Sequence, residues 1–288
     1  MEIYLKQPAG FCPGVKKALA RTFEIIEAHP SANIYLIGNV VHNDEVCAKI
    51  DSLKNVKVIN DSRDRLSQVK SIKSGKNTIV IFSAHGTDPR AVDYAQTKGW
   101  KVYDFTCPFV WIILSTIRRA ILHGYHVAYF GEANHPEAIA AKKVGGDNLT
   151  VYRTKKDLKE VLNKPYVHVM CQSSMNWQEF EDTKKWFSPA ARLKFNNFVC
   201  NTSRKRQEEA YMCKHYDIVF VLTSPRSHNG LSLYEALKKK NLTVKLIDPL
   251  KMNVTKKMIA NKKDCAIFTS ASVSQDQIDK FIKKLKSL

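Results

Sequence analysis

The sequence predicts an α/β protein of three pseudo-equivalent α/β lobes, each with a small, mostly parallel sheet, around a central cavity. Two observations carry that prediction. Nine short apolar runs rich in Val and Ile fall into three sets of three, separated by stretches with amphipathic helical patterning. One cysteine and two polar loops also recur in the same order in every set. Apolar runs of this kind read as strands buried on both faces of a parallel sheet. The repeats divide the 288 residues into 1–106, which carries an N-terminal strand, 107–199 and 200–288.

The opening MEIYLKQPAG reads as a short strand running into a turn. IYLIGNV, KVIN and TIVIFSA form the first set, VAYFGEA, LTVYRT and YVHVMCQ the second, and IVFVLTS, TVKLID and AIFTSAS the third. Cys12, Cys107 and Cys200 stand 95 and 93 residues apart, and each heads a helical pattern. After the first strand of each set comes a polar loop, VVHND with His42, ANHPE with His135 and PRSHNG with Ser227, His228 and Asn229. Measured from the cysteine of its set, His42 lies 30 residues on, His135 28 and Asn229 29. After the last strand comes a second loop, SAHGT with His85, CQSSM with Ser173 and TSASV with Ser272, at offsets of 73, 66 and 72 residues. Ligands of parallel α/β sheets gather outside the carboxyl ends of the strands. The cysteines and loops are therefore predicted to point into one central cavity.

Composition narrows the function classes. Hydrophobic residues make up 44% of the chain, enough for a packed core, and no run of about 18 apolar residues exists to span a membrane. The N-terminus lacks the basic, apolar and small-residue regions of a secretory signal, so a cytoplasmic location is expected. Seven scattered cysteines with no C-x-x-C make a poor disulfide framework and fit a reducing compartment. The net charge of +19 allows nucleic-acid binding, steering of an anionic substrate or acidic partner, or a solvated lysine face. The lysines fall at solvent-facing positions without interleaved aromatics, which favours the solvated face and no nucleic-acid partner. No coiled coil or long apolar edge argues for assembly, so a monomer is expected.

Pro13 and Pro108 directly follow Cys12 and Cys107, and proline is favoured at the first helical position. These cysteines are thus expected at helix N-termini, where the thiolate form is favoured. Cys200 precedes NTSRKRQEEAYM, with capping residues and a basic run at hand. Cys47, Cys171, Cys213 and Cys265 read instead as small core hydrophobes, Cys213 inside a helix and Cys265 inside a strand. Three thiolates leave one coordination position open, which suits a catalytic zinc or an iron–sulfur cluster with one free iron. Ligand count does not decide between them, and thiolate-only ligation leans toward iron–sulfur.

The loop residues His42, His85, His135, Ser227, Asn229 and Ser272 offer imidazoles, hydroxyls and an amide, the donors that hold phosphate oxygens. No loop is a G-x-x-x-x-G-K-[ST] phosphate loop, which disfavours an ordinary nucleotide triphosphatase. Glu137, following His135-Pro136, reads either as a first-turn helix acid or as a buried proton donor.

Gly10-Phe11-Cys12-Pro13-Gly14-Val15, Val41-His42-Asn43, Phe82-Ser83-Ala84-His85-Gly86, Asp104-Phe105-Thr106-Cys107-Pro108 and His135-Pro136-Glu137 closely resemble the 4-hydroxy-3-methylbut-2-enyl diphosphate reductase (LytB/IspH) family. The resemblance runs over essentially the whole chain. It implies a three-lobed α/β fold around a [4Fe–4S] cluster held by Cys12, Cys107 and Cys200, whose open iron takes the substrate hydroxyl. It implies a diphosphate pocket of His42, His85, His135, Ser227, His228, Asn229 and Ser272, and a proton path through Glu137 and Ser173, a threonine in the family pattern. The implied reaction is the last step of the non-mevalonate isoprenoid pathway, reductive loss of an allylic hydroxyl as water to give isopentenyl and dimethylallyl diphosphates. A ferredoxin- or flavodoxin-type protein would supply the electrons. Departures gather in the last third. His228 stands where the family has serine, Cys200-Asn201-Thr202-Ser203 replaces Cys-x-Ala-Thr, and the Ser272 loop lacks the usual glycine and proline.

Overall fold

The computed structural model describes residues 1–61, 64–73, 75, 77–187, 192–240 and 242–288. The first third runs β1 (Glu2–Leu5), α1 (Pro13–Ala28), β2 (Asn33–Ile37), α2 (Asp44–Asp51), β3 (Val56–Ile59), α3 (Arg65–Lys70), β4 (Thr78–Phe82), α4 (Pro89–Thr97) and β5 (Lys101–Asp104). The middle third continues with α5 (Pro108–Leu122), β6 (His126–Phe130), α6 (Pro136–Gly145), β7 (Leu149–Tyr152), β8 (Tyr166–Cys171), α7 (Trp177–Asp182) and β9 (Arg192–Phe195). The last third holds α8 (Asn201–Tyr211), β10 (Ile218–Leu222), α9 (His228–Lys238), β11 (Val244–Ile247), α10 (Lys256–Ile259), β12 (Asp264–Thr269) and α11 (Gln275–Ser287).

The strands make three four-stranded sheets, ordered β3-β2-β4-β5, β7-β6-β8-β9 and β11-β10-β12-β1. Every pairing among them is parallel. All nine predicted runs are strands, and each set supplies three neighbouring strands of one sheet. The fourth strand is an edge strand, and it has the same place in all three sheets. β5 leads to Cys107, β9 to Cys200 and β1 to Cys12, so each cysteine follows the edge strand of a sheet and heads the next long helix.

Central strands are apolar on both faces because both faces are covered. Ile218, Phe220 and Leu222 of β10 pack with Phe281 and Leu285 of α11. The alternating residues Val219 and Val221 pack with Leu233 and Leu237 of α9. β6 divides in the same way, Phe130 meeting Phe180 of α7, and Val127 and Tyr129 meeting Ile113 and Ile117 of α5. Phe220 is fully buried, so truncating it to Ala would cost about 3–5 kcal/mol and loosen its sheet first.

Two compact units are present. Met1–Lys16, His42–Val46 and Cys200–Leu288 form one, which holds β11-β10-β12-β1. Lys17–Val41 and Cys47–Val199 form the other, which holds the remaining two sheets. Among the described residues no helix is long and apolar enough to cross a membrane.

Candidate active site

In the first unit the Cys12 sulfur accepts the Val15 N–H at 3.4 Å, and the Cys200 sulfur accepts the Ser203 N–H at 3.4 Å. Both N–H groups belong to the third residue of a helix and lack an intrahelical acceptor, so the sulfur satisfies them as a cap. A connected path joins the surroundings of the two thiols. The Cys200 S–H donates to the Ser203 hydroxyl at 3.1 Å, which also accepts from the Asn229 amide nitrogen at 2.7 Å. The Asn229 amide oxygen accepts the Ala271 N–H at 3.0 Å, and the Ala271 carbonyl accepts the Cys12 N–H at 3.3 Å.

Arg206 reinforces that arrangement. Its guanidinium is buried and donates to the carbonyls of Pro8, Gly10 and Thr269 at 2.8, 2.6 and 2.6 Å. The loop that carries Cys12 is thereby clamped to the end of β12. Burial pushes the Arg206 pKa down to about 10, opposed by the nearby Cys12 and Cys200, so the group stays charged at neutral pH.

The predicted anion-binding residues of this unit stand on helix starts and strand ends. Ser227 is the buried N-cap of α9, with His228 and Asn229 as the first two helical residues. Gly230 is required here, because a Cβ would meet the Thr223 hydroxyl at 1.9 Å. Ser272 shares a hydrogen bond of 2.9 Å with Ser270, and His42, Asn43 and Ser272 line one small cleft with Gln277. Asn43 ties that cleft together, donating to the Ser272 carbonyl and to the Gln277 amide oxygen, each at 2.8 Å. The His42 imidazole has its pKa pushed down to about 4, first by burial and then by Arg226 and His228, so it is neutral at neutral pH. Arg226 itself pairs with Asp44.

In the second unit Cys107 heads α5 with Pro108 as the first helical residue. Its N–H donates to the Ala84 carbonyl at 3.0 Å, directly before His85. Cys12 uses the carbonyl directly before Ser272 in the same way, so the repeat places thiol and loop alike in both units. Gly86 turns that loop with φ +92°, and a Cβ would press on Val110 of α5 at 3.0 Å. The His85 and His135 rings meet edge to face, 5.9 Å between centroids. His135 caps α6 by accepting the Glu137 N–H on Nδ1 at 3.2 Å, which leaves Nε2 as the hydrogen-bearing nitrogen of the neutral ring.

Glu137 is 2% exposed, and its carboxylate accepts the Ser173 N–H at 2.7 Å, the Ser173 hydroxyl at 2.7 Å and the Tyr129 hydroxyl at 2.9 Å. Burial raises its pKa above the usual carboxylate value, and the Ser173 and Tyr129 hydrogen bonds only partly offset this. Burial beside Glu137 also holds the Tyr129 phenol well above its usual pKa, so it remains a donor.

His85, His135, Glu137 and Ser173 are thus gathered in one unit, and Cys12, Cys200, His42, Ser227, His228, Asn229 and Ser272 in the other. Two lesser expectations are corrected. Cys213 lies just past the end of α8 and is buried there, and Cys47 is only half-buried, its thiol donating to the Val41 carbonyl. Tyr129, Ser203, Arg206 and Asn43 were given no role in the site from sequence, although Asn43 and Ser203 lie in the motifs quoted above. Tyr129 had a signal, since a phenol in an otherwise apolar buried strand needs a polar partner. Among the described residues no group of three or more His, Cys, Asp or Glu side chains stands together as ligands of a single metal ion.

Residues 3–286 match the family model described as LytB protein. The chain belongs to the LytB family. A LytB relative from Malacoplasma penetrans, a 4-hydroxy-3-methylbut-2-enyl diphosphate reductase, is 34% identical over 94% of this chain and 93% of its own. A second reductase, from Caldanaerobacter subterraneus, is 27% identical over 100% of this chain and 98% of its own. The E-1-hydroxy-2-methyl-but-2-enyl-4-diphosphate reductase structure from Plasmodium falciparum superposes with a TM-score of 0.84 at 23% identity, covering 99% of this chain and 88% of that one. A solved (E)-4-hydroxy-3-methyl-but-2-enyl diphosphate reductase, described as the terminal enzyme of the non-mevalonate pathway, gives 0.68 at 22% identity with both chains fully covered. LytB proteins are iron–sulfur oxidoreductases.

Proposed function

We propose that Cys12, Cys107 and Cys200 hold a [4Fe–4S] cluster through three thiolates, each repeat (1–106, 107–199 and 200–288) supplying one. The chain uses it to convert 4-hydroxy-3-methylbut-2-enyl diphosphate, the reductase substrate of its relatives, to isopentenyl and dimethylallyl diphosphates. The observation that supports this reading is the common setting of the thiols. All three are partly exposed and placed at the start of a long helix after an edge strand. Soft thiolate donors at helix N-termini suit iron and sulfide. When bound, the cluster supplies electrons and one open iron.

The chain's own groups handle the anion and the protons. His42, His85, His135, Ser227, His228, Asn229 and Ser272 hold the diphosphate. Glu137, its pKa raised by burial, passes a proton through the Ser173 hydroxyl to the departing oxygen. The balance is two electrons and two protons in, with the allylic C–O bond broken, one C–H bond formed and water released. The electrons come from a ferredoxin- or flavodoxin-type carrier, and the enzyme works as a cytoplasmic monomer.

Anaerobic reconstitution followed by iron and sulfide analysis tests the assignment. Four irons and four sulfides per chain are expected, with loss of both in Cys12→Ala, Cys107→Ala and Cys200→Ala. Full iron and sulfide in any of these variants would remove that cysteine from the ligand set.

A further inference from the structure

The helix that Cys107 heads presents an unusual face to solvent. Trp111 is 63% exposed, Ile112 46% and Leu122 80%, on a helix whose opposite side is wholly buried through Val110, Ile113 and Ile117. Trp111, Arg118 and Leu122 follow one another at seven and four residues, so they share one stripe, with Arg119 beside it. Neither arginine has an ion pair among the described residues. Large apolar side chains next to one another on a soluble surface mark an interaction site. An aromatic centre edged by arginine is the make-up of binding hot spots.

A cleft of about 260 Å³ adjoins this face, lined by Thr87, Asp93, Asp104, Trp111, Leu114 and Arg118. The Asp104 carboxylate is already occupied, accepting from the N–H and hydroxyl of Thr106 at 2.9 and 2.6 Å. The Thr87 hydroxyl is not: it is buried and has no hydrogen-bond partner among the described residues. A polar group entering the cleft from a partner would supply one.

We propose that this face of α5, centred on Trp111 with Arg118 and Arg119 at its rim, docks a small acidic electron-carrier protein of the ferredoxin type. The proposal rests on the reading of Cys107 as a cluster ligand. The Trp111 N–H donates to the Cys107 carbonyl at 2.9 Å, so the tryptophan lies one helical turn from the thiol, about 5.4 Å along the axis. A carrier seated on Trp111 is then within about one helical turn of the Cys107 ligand along this helix. The net charge of +19 attracts an acidic carrier and steers it on approach, while it opposes a second copy of the same chain.

The test measures binding of a purified ferredoxin to the reconstituted holoenzyme by calorimetry, at low and high salt. Trp111→Ala and the double variant Arg118→Glu/Arg119→Glu are compared with the wild type, with thermal melting and iron content confirming that each is intact. Each variant is expected to weaken binding about 10-fold or more. The charge reversal is also expected to remove most of the salt dependence, while turnover with dithionite-reduced methyl viologen stays at the wild-type rate. Ferredoxin that binds both variants as tightly as wild type, or does not bind the wild type, overturns the docking surface alone, provided the wild type turns over with viologen. A wild type inert with viologen and devoid of sulfide overturns the cluster reading and the docking surface with it. Sedimentation showing a dimer that Trp111→Ala dissolves assigns the face to a second copy and also overturns the proposal.

Discussion

Ser173 gives Glu137 two hydrogen bonds, one from its backbone N–H and one from its hydroxyl, each 2.7 Å long. The two residues differ in access, because Glu137 is 2% exposed while Ser173 is half-buried. The acid therefore reaches its surroundings through the hydroxyl, which can accept a proton from the carboxyl and donate its own.

Ser173→Ala removes that exit and leaves one carboxylate oxygen without its donor. Turnover is expected to fall by about 10²–10⁴-fold, the usual worth of positioned proton transfer. Ser173→Thr keeps the hydroxyl and is expected to keep most of the rate. Steady-state kinetics with a viologen donor decide it, and equal rates for the alanine and threonine variants would take the hydroxyl out of the path.

Glu137→Gln is expected to assemble a full cluster while turnover collapses by a similar factor. Stability supplies an independent check. The folded pKa of Glu137 is raised, so its contribution is fully present below the unfolded value of about 4.5 and is lost as pH rises through the folded pKa. Relative to wild type, the glutamine variant should gain stability as pH rises from about 4.5 toward neutrality. Urea midpoints that stay parallel over that range would show that burial does not raise this pKa.

Asn229 is occupied on both sides of its amide, by the Ser203 hydroxyl and the Ala271 N–H. Its first task is therefore to hold the surroundings of Cys200 and Cys12 together. Asn229→Ala leaves a buried N–H and a hydroxyl short of partners, a cost of about 1–3 kcal/mol. Lower iron content and a lower melting temperature are expected together. A variant with full iron, an unchanged melting temperature and a raised KM would make Asn229 a substrate contact alone.

The strands central to each sheet were legible because parallel strands covered on both faces must be apolar throughout, as TIVIF, HVAYF and IVFVL are. β5 and β9 were not, because KVYD and RLKF are short edge strands carrying charge, which keeps an open edge from pairing with another chain. The helix-start placement of Cys12 and Cys107 was readable from the prolines after them, and the loop landmarks from their spacing. The contacts of Arg206 with Pro8 and Gly10 were not readable, since they bridge 198 and 196 residues. Nothing local in RKRQ distinguishes the buried Arg206 from the exposed Arg204 and Lys205.

His42 carries the last expectation. Burial, with Arg226 and His228 adding to it, holds its folded pKa at about 4, below the unfolded value of 6.5. A neutral folded histidine contributes stability that is present above pH 6.5 and lost as pH falls through about 4, because the unfolded chain takes up the proton first. His42→Gln keeps a polar side chain but cannot titrate, so its stability should fall less steeply than that of the wild type over this interval. The half-buried ring makes the effect smaller than full burial would give. Urea midpoints measured on both proteins from about pH 7 down to about pH 4 test it, and identical slopes would mean that folding does not lower the pKa of the imidazole.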